Sequence, residues 1–212
     1  MDISIIIPYN KDRGYLDEAI FAAQNQDFKG TYEIIVWHGD YGVAKNFNDA
    51  LQVAQGRYIK GCAEDDLLTT NCLTDLYEYA DGCDIVCAGA VNFTDDKQEK
   101  YQSTVPLTIR QLAEHNTIHG GTVLYRKSAL LEVGGMNESM WCAEEFDLHL
   151  RMLDRGMVIR VIQSVVFAYR IHGLMNSGLG GSTEGNRIIA RHKIKQDILR
   201  NYRQNNNKIK VI

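Results

Sequence analysis

The run Ile3-Ser4-Ile5-Ile6-Ile7 constrains the fold more than any other stretch of this chain. It is short, almost continuously apolar, and followed by Pro8, which reads as its end. A strand with one wet face alternates apolar and polar residues. A run without alternation reads as a strand covered on both faces, as in a parallel sheet packed between helices. Residues 14–25 then place Leu16, Ile20 and Ala23 at helical spacing, and Tyr32 to Trp37 (YEIIVW) reads as a second strand. Residues 43–54 carry Val43, Phe47, Ala50, Leu51 and Ala54 on one helical face, Gly56 stops that helix, and Arg57 to Gly61 begins a third strand. This β-α-β-α-β order predicts an α/β fold: a doubly wound, mostly parallel (mixed) sheet flanked by helices, with right-handed crossovers.

The pattern continues with a helix over 71–80 and a strand over 84–91. Residues 92–107 are polar and carry no clear period. A strand over 121–125, a short helix over 127–133 and a longer helix over 143–155 follow. The last has Phe146, Leu150 and Leu153 in one stripe and Gly156 at its end. Two strands are expected over 158–162 and 165–170. Residues 177–186 are rich in Gly and Ser and read as a mobile loop, and 186–202 as a basic helix. No repeat or linker divides the chain. One domain over 1–212 is expected, with a first half over about 1–100, a second over about 101–185, and a C-terminal helix and tail over 186–212.

Composition excludes little, but usefully. A net charge of −4 argues against a nucleic-acid binder with a basic surface. The cysteines, five in all, are odd in number and lack zinc spacing, so a disulfide framework or structural zinc is not expected. The N-terminus has no basic n-region, and no stretch approaches the ~20 apolar residues of a membrane span. A cytoplasmic location is expected, with any membrane contact peripheral. The basic face of the last helix (Arg187, Arg191, His192, Lys193, Lys195, Arg200) is either solvated or the place for such contact.

The stretch GCAEDDLLTTN, residues 61–71, sets three carboxylates side by side: Glu64, Asp65 and Asp66. They fall at the carboxyl end of the third strand, where open α/β sheets bind ligands. Thr69, Thr70 and Asn71 already supply caps for the next helix, and the acids lie about a turn too early for that role. From the residues alone two readings stand. The acids form a solvated loop favoured by the helix dipole, or they hold a hard cation such as Mg²⁺ or Mn²⁺ together with substrate phosphates.

Taken in order, ISIIIPYN, YEIIVWHGD, NDALQVAQGRYIKGCAEDDLL, GGTVLYRKSALLEVGGMNESMWCAEEFDLHLRM and YRIHGLMNS resemble family 2 glycosyltransferases of the GT-A fold, over roughly residues 2–177. Each motif is weak alone; their order is specific. The resemblance implies inverting transfer of a sugar from a nucleotide diphosphate donor, UDP-linked by default, to an acceptor hydroxyl on a glycan or similar molecule. Mn²⁺ or Mg²⁺ would bridge protein and diphosphate. Aligned on Gly56-Arg57-Tyr58-Ile59, the family's Asp-x-Asp puts Asp65 at the metal position and Ala63 where the first Asp usually stands. Glu64 or Asp66 would then take the ribose or a supporting role. Pro8, Tyr9 and Asn10 would form one wall of the base pocket. The usual Asp-Asp-Gly-Ser becomes Trp37-His38-Gly39-Asp40, in which Trp37 either stacks on the base or belongs to the core, and His38 and Asp40 share the cleft. Asn48 matches a family Asn. Arg13 and Lys45 are either phosphate contacts or solvated helix residues. His172 matches a position near the metal or diphosphate. The family's Glu-Asp pair maps onto Glu144-Glu145, with Glu145 as the base that takes the acceptor proton and Glu144 as the alternative. Asp147 and Arg151 read as a structural ion pair. Residues 176–185 would close over the donor, and Gly120 and Gly121 would let backbone approach the sugar or form a turn.

Two other classes compete. A sugar-nucleotide nucleotidyltransferase would need a Gly-rich, basic phosphate loop after the first strand, and IIPYNKDRG holds one Gly. A non-catalytic nucleotide-sugar binding domain stays open because of Ala63 and the altered WHGD. No G-x-G-x-x-G follows the first strand, which argues against a dinucleotide dehydrogenase.

Overall fold

Strand β1 (Ile3–Tyr9) lies at the centre of the parallel part of the sheet, between β2 (Tyr32–His38) and β3 (Tyr58–Gly61). Its residues are divided between two cores. Ile3, Ile5 and Ile7 enter one, Ile6 enters the other, and all four are fully buried. Each such side chain contributes about 1.5–3 kcal/mol, and the one polar member, Ser4, is buried with its hydroxyl donating to Glu33 and accepting the Gly56 N–H. The chain is described by a computed structural model covering residues 1–94, 96–173 and 185–212, with 185–191 as backbone only.

The remaining elements are, in chain order, α1 (Leu16–Gln24), α2 (Val43–Val53), β4 (Leu67–Leu68), α3 (Cys72–Glu78), β5 (Ile85–Phe93), β6 (Gln98–Gln102), α4 (Ile109–Glu114), β7 (Leu124–Arg126), α5 (Lys127–Glu132), α6 (Glu144–Asp154), β8 (Val158–Arg170), α7 (Gly185–Tyr202) and β9 (Lys210–Val211). The sheet runs β2-β1-β3-β7-β5-β8-β4, with β6 added on β5 and β9 on β8. It is mixed. Pairings β1–β2, β1–β3, β5–β8 and β8–β9 are parallel; β7, β4 and β6 join antiparallel. Helices α2, α4, α6 and α7 supply buried residues to one core, α1 and α3 to the other, giving the expected two-faced α/β layering.

Several expectations need correction. Pro8 does not end β1; the strand continues to Tyr9, paired with His38. The β1–β3 ladder stops at Ile6, so the missing N–H of Pro8 falls where β3 no longer needs it. Residues 92–107 hold strand β6, which folds back on β5 with Ala90 opposite Tyr101. The two strands expected over 158–170 are one strand of 13 residues, β8. Its polar Gln163-Ser164 marks an irregularity: β5 advances from Cys87 to Gly89 while β8 advances from Val161 to Val165. Gly89 suits that crowded place, since a Cβ would lie 2.9 Å from the Tyr101 carbonyl oxygen and 3.0 Å from that of Ser164. Residues 120–122 form a 3₁₀ turn before β7, not the start of a strand. The 176–185 loop lies outside the described residues up to Gly185, where α7 begins, and so do the side chains of Arg187 and Arg191.

Candidate active site

A cavity of about 480 Å³ opens where the loops after β1 and β3 meet the N-terminus of α6. Pro8 lines it from the end of β1 and Arg13 from the loop that follows, Ala63 to Asp66 from the loop after β3, and Glu144 and Glu145 from the helix. The two acidic segments singled out in the sequence therefore share one cavity.

Three adjacent carboxylates repel one another, and each is answered by a different partner. Glu64 forms an ion pair with Arg13. Asp65 Oδ2 lies 2.9 Å from His172 Nε2. Asp66 Oδ1 accepts the backbone N–H of Arg170 at 2.8 Å, and the Arg170 side chain donates to the Asp65 carbonyl at 3.0 Å. Burial, and then the charge of Asp65, hold Asp66 well above the usual carboxylate range. The Tyr169-Arg170-Ile171-His172 segment at the end of β8 thus brings two basic groups onto the acidic loop.

Among the described residues no three His, Cys, Asp or Glu side chains converge as a ready metal site. The donor chemistry of Asp65 and His172 still fits an ion shared with a diphosphate. The Asp65 carboxylate lines the cavity and the His172 imidazole nitrogen lies 2.9 Å from it, and Mn²⁺ or Mg²⁺ at such sites takes its other ligands from phosphate and water.

Helix α6 opens on Glu144 and Glu145, directly after Ala143, whose φ of 61° makes it the one non-glycine residue with positive φ among those described. A left-handed alanine costs on the order of 1–2 kcal/mol, and strain of this kind gathers at sites that must aim side chains. Burial raises both carboxyls. Glu144 is pushed up to about 7 by burial and by the adjacent Glu145 charge. A raised pKa in the fold stabilises the protonated form. That stability is present below the ordinary value of 4.5 and lost as pH rises through about 7. Replacing Glu144 by Gln removes this dependence. Its unfolding free energy relative to wild type should rise by roughly 1–3 kcal/mol between pH 4.5 and 7.5. Denaturant titrations at five pH values would read this, and parallel curves for the two proteins would refute it.

Gly120 is what lets the preceding loop close on Glu145. A Cβ there would lie 2.8 Å from Glu145 Cγ and 3.0 Å from Cδ. Gly120→Ala should leave the fold intact, because the far end of the side chain can swing, yet lower turnover by about 10²-fold through displacement of the carboxylate. An unchanged kcat would show that Glu145 need not stand where it does. Gly121 has a different duty: its Cβ would run into the Phe167 ring.

Other residues singled out in the sequence stand elsewhere. Tyr9 and His38 end β1 and β2 with ring centroids 4.9 Å apart, and Asn10 and Asp40 lie exposed beside them. None of these four lines the cavity. Trp37 is half-buried and packs against the core, the second of its two readings. Gly39 is held by Asn46, whose Nδ2 donates to the Gly39, Tyr9 and Tyr41 carbonyls at 2.9, 3.1 and 3.3 Å. Asn48 is engaged by the chain after α5: it donates to the Met136 carbonyl at 2.8 Å and accepts the Met136 N–H at 2.9 Å. Lys45 pairs with Asp49 at 2.8 Å on its own helix. Asp147 and Arg151 pair at 2.6 Å, and Arg151 also donates to the Val133 and Gly135 carbonyls. Lys195 of α7, read only as part of a basic face, lines the cavity.

Three further features carry no mark in the sequence motifs. Lys60 is fully buried in β3, its ammonium donating to the Gly61 and Gly121 carbonyls at 2.7 Å each and lying 5.1 Å from the Phe167 ring centre. A lysine in a strand of otherwise buried residues was the available signal. Tyr125, on the cavity wall, shares a 2.7 Å hydrogen bond with His149, one turn beyond Glu145. His119 lines the cavity just before the two glycines that drew attention.

Fold and cavity together define a GT-A-type α/β scaffold with an acid-lined cleft. Residues 33–134 match Glycosyl transferase family 2. Two curated relatives, both described as uncharacterized glycosyltransferases, come from Rickettsia conorii (24% identical) and Rickettsia felis (22%). Each alignment covers 93% of this chain, which spans 37% of the relative's length. Among solved structures, S. aureus TarS 1–349 has a TM-score of 0.62 at 17% identity, covering 80% of this chain and 60% of that one. The same protein in complex with UDP-GlcNAc scores 0.64 at 16% identity, covering 81% and 59%. At these identities the likeness shows the fold.

Proposed function

We propose that the chain transfers a sugar, with inversion, from a nucleoside diphosphate donor, UDP-linked, to an acceptor hydroxyl. The observation that carries this reading is the meeting of Asp65 and the Glu144–Glu145 pair in one cavity. The complex of TarS with UDP-GlcNAc supports the choice of base. Tyr9, Asn10, His38 and Asp40, at the ends of β1 and β2 and outside the lining of the cavity, would frame the place for the base.

Asp65 and His172 would hold Mn²⁺ or Mg²⁺ against the diphosphate, where the ion neutralises charge on the departing nucleoside diphosphate. Glu145 takes the proton of the acceptor hydroxyl as its oxygen bonds to the anomeric carbon. The carbon–oxygen bond to the diphosphate breaks, and its electron pair leaves with the nucleotide. Burial raises the Glu145 pKa, which makes its carboxylate a stronger base for this step. Arg13 holds Glu64 in place at the phosphate end of the cavity.

Calorimetric titration of UDP, GDP, CDP and dTDP, each with and without Mn²⁺, tests the reading. Tight binding of UDP that needs the metal is expected. Metal-independent binding, or none, would overturn it. If UDP binds but no UDP-sugar is turned over or hydrolysed, and Glu145→Gln changes nothing, the domain binds nucleotide sugars without acting on them.

A further inference from the structure

One part of the cavity has no place in the scheme above. Asn92 on β5, Tyr101 on β6, Tyr169 on β8 and His119 before the 3₁₀ turn all line it. They come from four separate segments, and Tyr101 and Tyr169 both meet the His119 ring. The His119 ring centre lies 5.7 Å from that of Tyr101 and 5.2 Å from that of Tyr169. Asn92 faces Tyr169 across the β5–β8 pairing.

Hydrogen bonding settles which groups this wall presents. His119 Nδ1 accepts the Gly121 N–H at 3.2 Å, so that nitrogen carries a lone pair. Burial, helped by the Lys60 charge, lowers the imidazole pKa to about 4, so the ring is neutral near pH 7 and its proton sits on Nε2. No acceptor for that N–H stands among the hydrogen bonds of the described residues. Asn92 Oδ1 is shielded from solvent and has no hydrogen-bond partner. A buried amide oxygen left this way costs free energy that a ligand donor would recover. Tyr101 spends its hydroxyl on the Thr117 carbonyl at 3.0 Å, which fixes its ring as an apolar face.

We propose that Asn92, Tyr101, His119 and Tyr169 form a subsite for a neutral hydroxylated ring, the pyranose of either donor or acceptor. A sugar hydroxyl donates and accepts at once, which matches one fixed N–H donor and one waiting carbonyl oxygen. The C–H face of the ring suits the aromatic walls. A carboxylate or phosphate offers acceptors only and would meet Asn92 Oδ1 with repulsion. The inference rests on the transferase reading for its choice of sugar, but its test does not.

Three variants serve: Asn92→Leu, His119→Phe, and His119→Gln, which restores an N–H donor. Each is first checked for native unfolding temperature. UDP and UDP-GlcNAc are then titrated calorimetrically, and methyl glycosides of glucose, galactose, mannose and N-acetylglucosamine are followed by saturation-transfer NMR. If the donor ring sits here, wild type binds UDP-GlcNAc more tightly than UDP, and Asn92→Leu and His119→Phe cut that advantage about tenfold with UDP affinity unchanged. If the acceptor ring sits here, those two variants lose a methyl glycoside signal while both nucleotide affinities stay. His119→Gln keeps binding in either case. The proposal is overturned if the folded variants alter neither readout, if wild type shows neither an advantage for UDP-GlcNAc nor a glycoside signal, or if methyl glucuronide binds as well as methyl glucoside. Failure of UDP to bind wild type would overturn the transferase reading alone, since the glycoside signal and its loss still read the subsite.

Discussion

On the proposed reading, Glu145→Gln is expected to lower kcat by about 10²–10⁴-fold while leaving UDP affinity within about twofold, because the substitution would remove the proton acceptor and no nucleotide contact. Shape and volume are nearly kept, so the fold should hold. The change also removes the charge that helps push the neighbouring Glu144 up to about 7, so the residual activity should follow a different pH profile. Initial rates of UDP release across pH 5–9, with nucleotide binding measured in parallel, would read all of this. A variant that turns over at the wild-type rate would move the base to Glu144, and normal rates in both glutamine variants would remove the carboxylate pair from the chemistry. The two carboxyls are adjacent and both raised by burial, so single and double variants should not add.

Asp65→Ala should act at the other side of the cavity and on a different parameter. It deletes the carboxylate that His172 contacts at 2.9 Å and that would face the diphosphate. Metal-dependent UDP affinity is expected to fall by about 100-fold or more and kcat/KM by on the order of 10³-fold, as several kcal/mol of charge stabilisation goes with the ion. Stability should change little or improve, since the acidic loop loses one of three like charges and Asp66 is relieved of the neighbour that helps raise its pKa. Manganese titrations at fixed UDP check the point. Unaltered metal-dependent binding in Asp65→Ala would place the ion elsewhere. Loss of metal dependence with UDP binding retained would confine Asp65 to the ion and leave the nucleotide to other residues.

The contrast between Asn48 and Asp65 shows how far sequence matching carries. Both sit at positions that the family pattern marks. Asp65 faces the cavity, whereas Asn48 is engaged at both ends of its amide by the chain around Met136 and Glu138. A pattern identifies the residue; it says nothing about what reaches that residue from 88 positions away.

What the sequence determined by itself is the part written in local periodicity. The unalternating run at Ile3–Ile7, the helical stripe of α2 and the stop at Gly56 fixed the β-α-β-α-β frame, and with it the placing of Glu64–Asp66 at the end of β3. The start of α6 at Glu144 was legible in the same way, from its apolar stripe and terminal Gly156. The fold decided the rest because the partners lie far apart along the chain. Arg13 reaches Glu64 across 51 residues, and His172 reaches Asp65 across 107. Likewise β6 forms only because β5 offers an edge, and β8 runs through a polar pair because Gly89 leaves room for the irregularity. A side chain's charge state and partners depend on burial by distant segments, and no local period records that. His119 is an ordinary histidine in the sequence; burial among β5, β6 and β8 makes it a neutral, fixed donor.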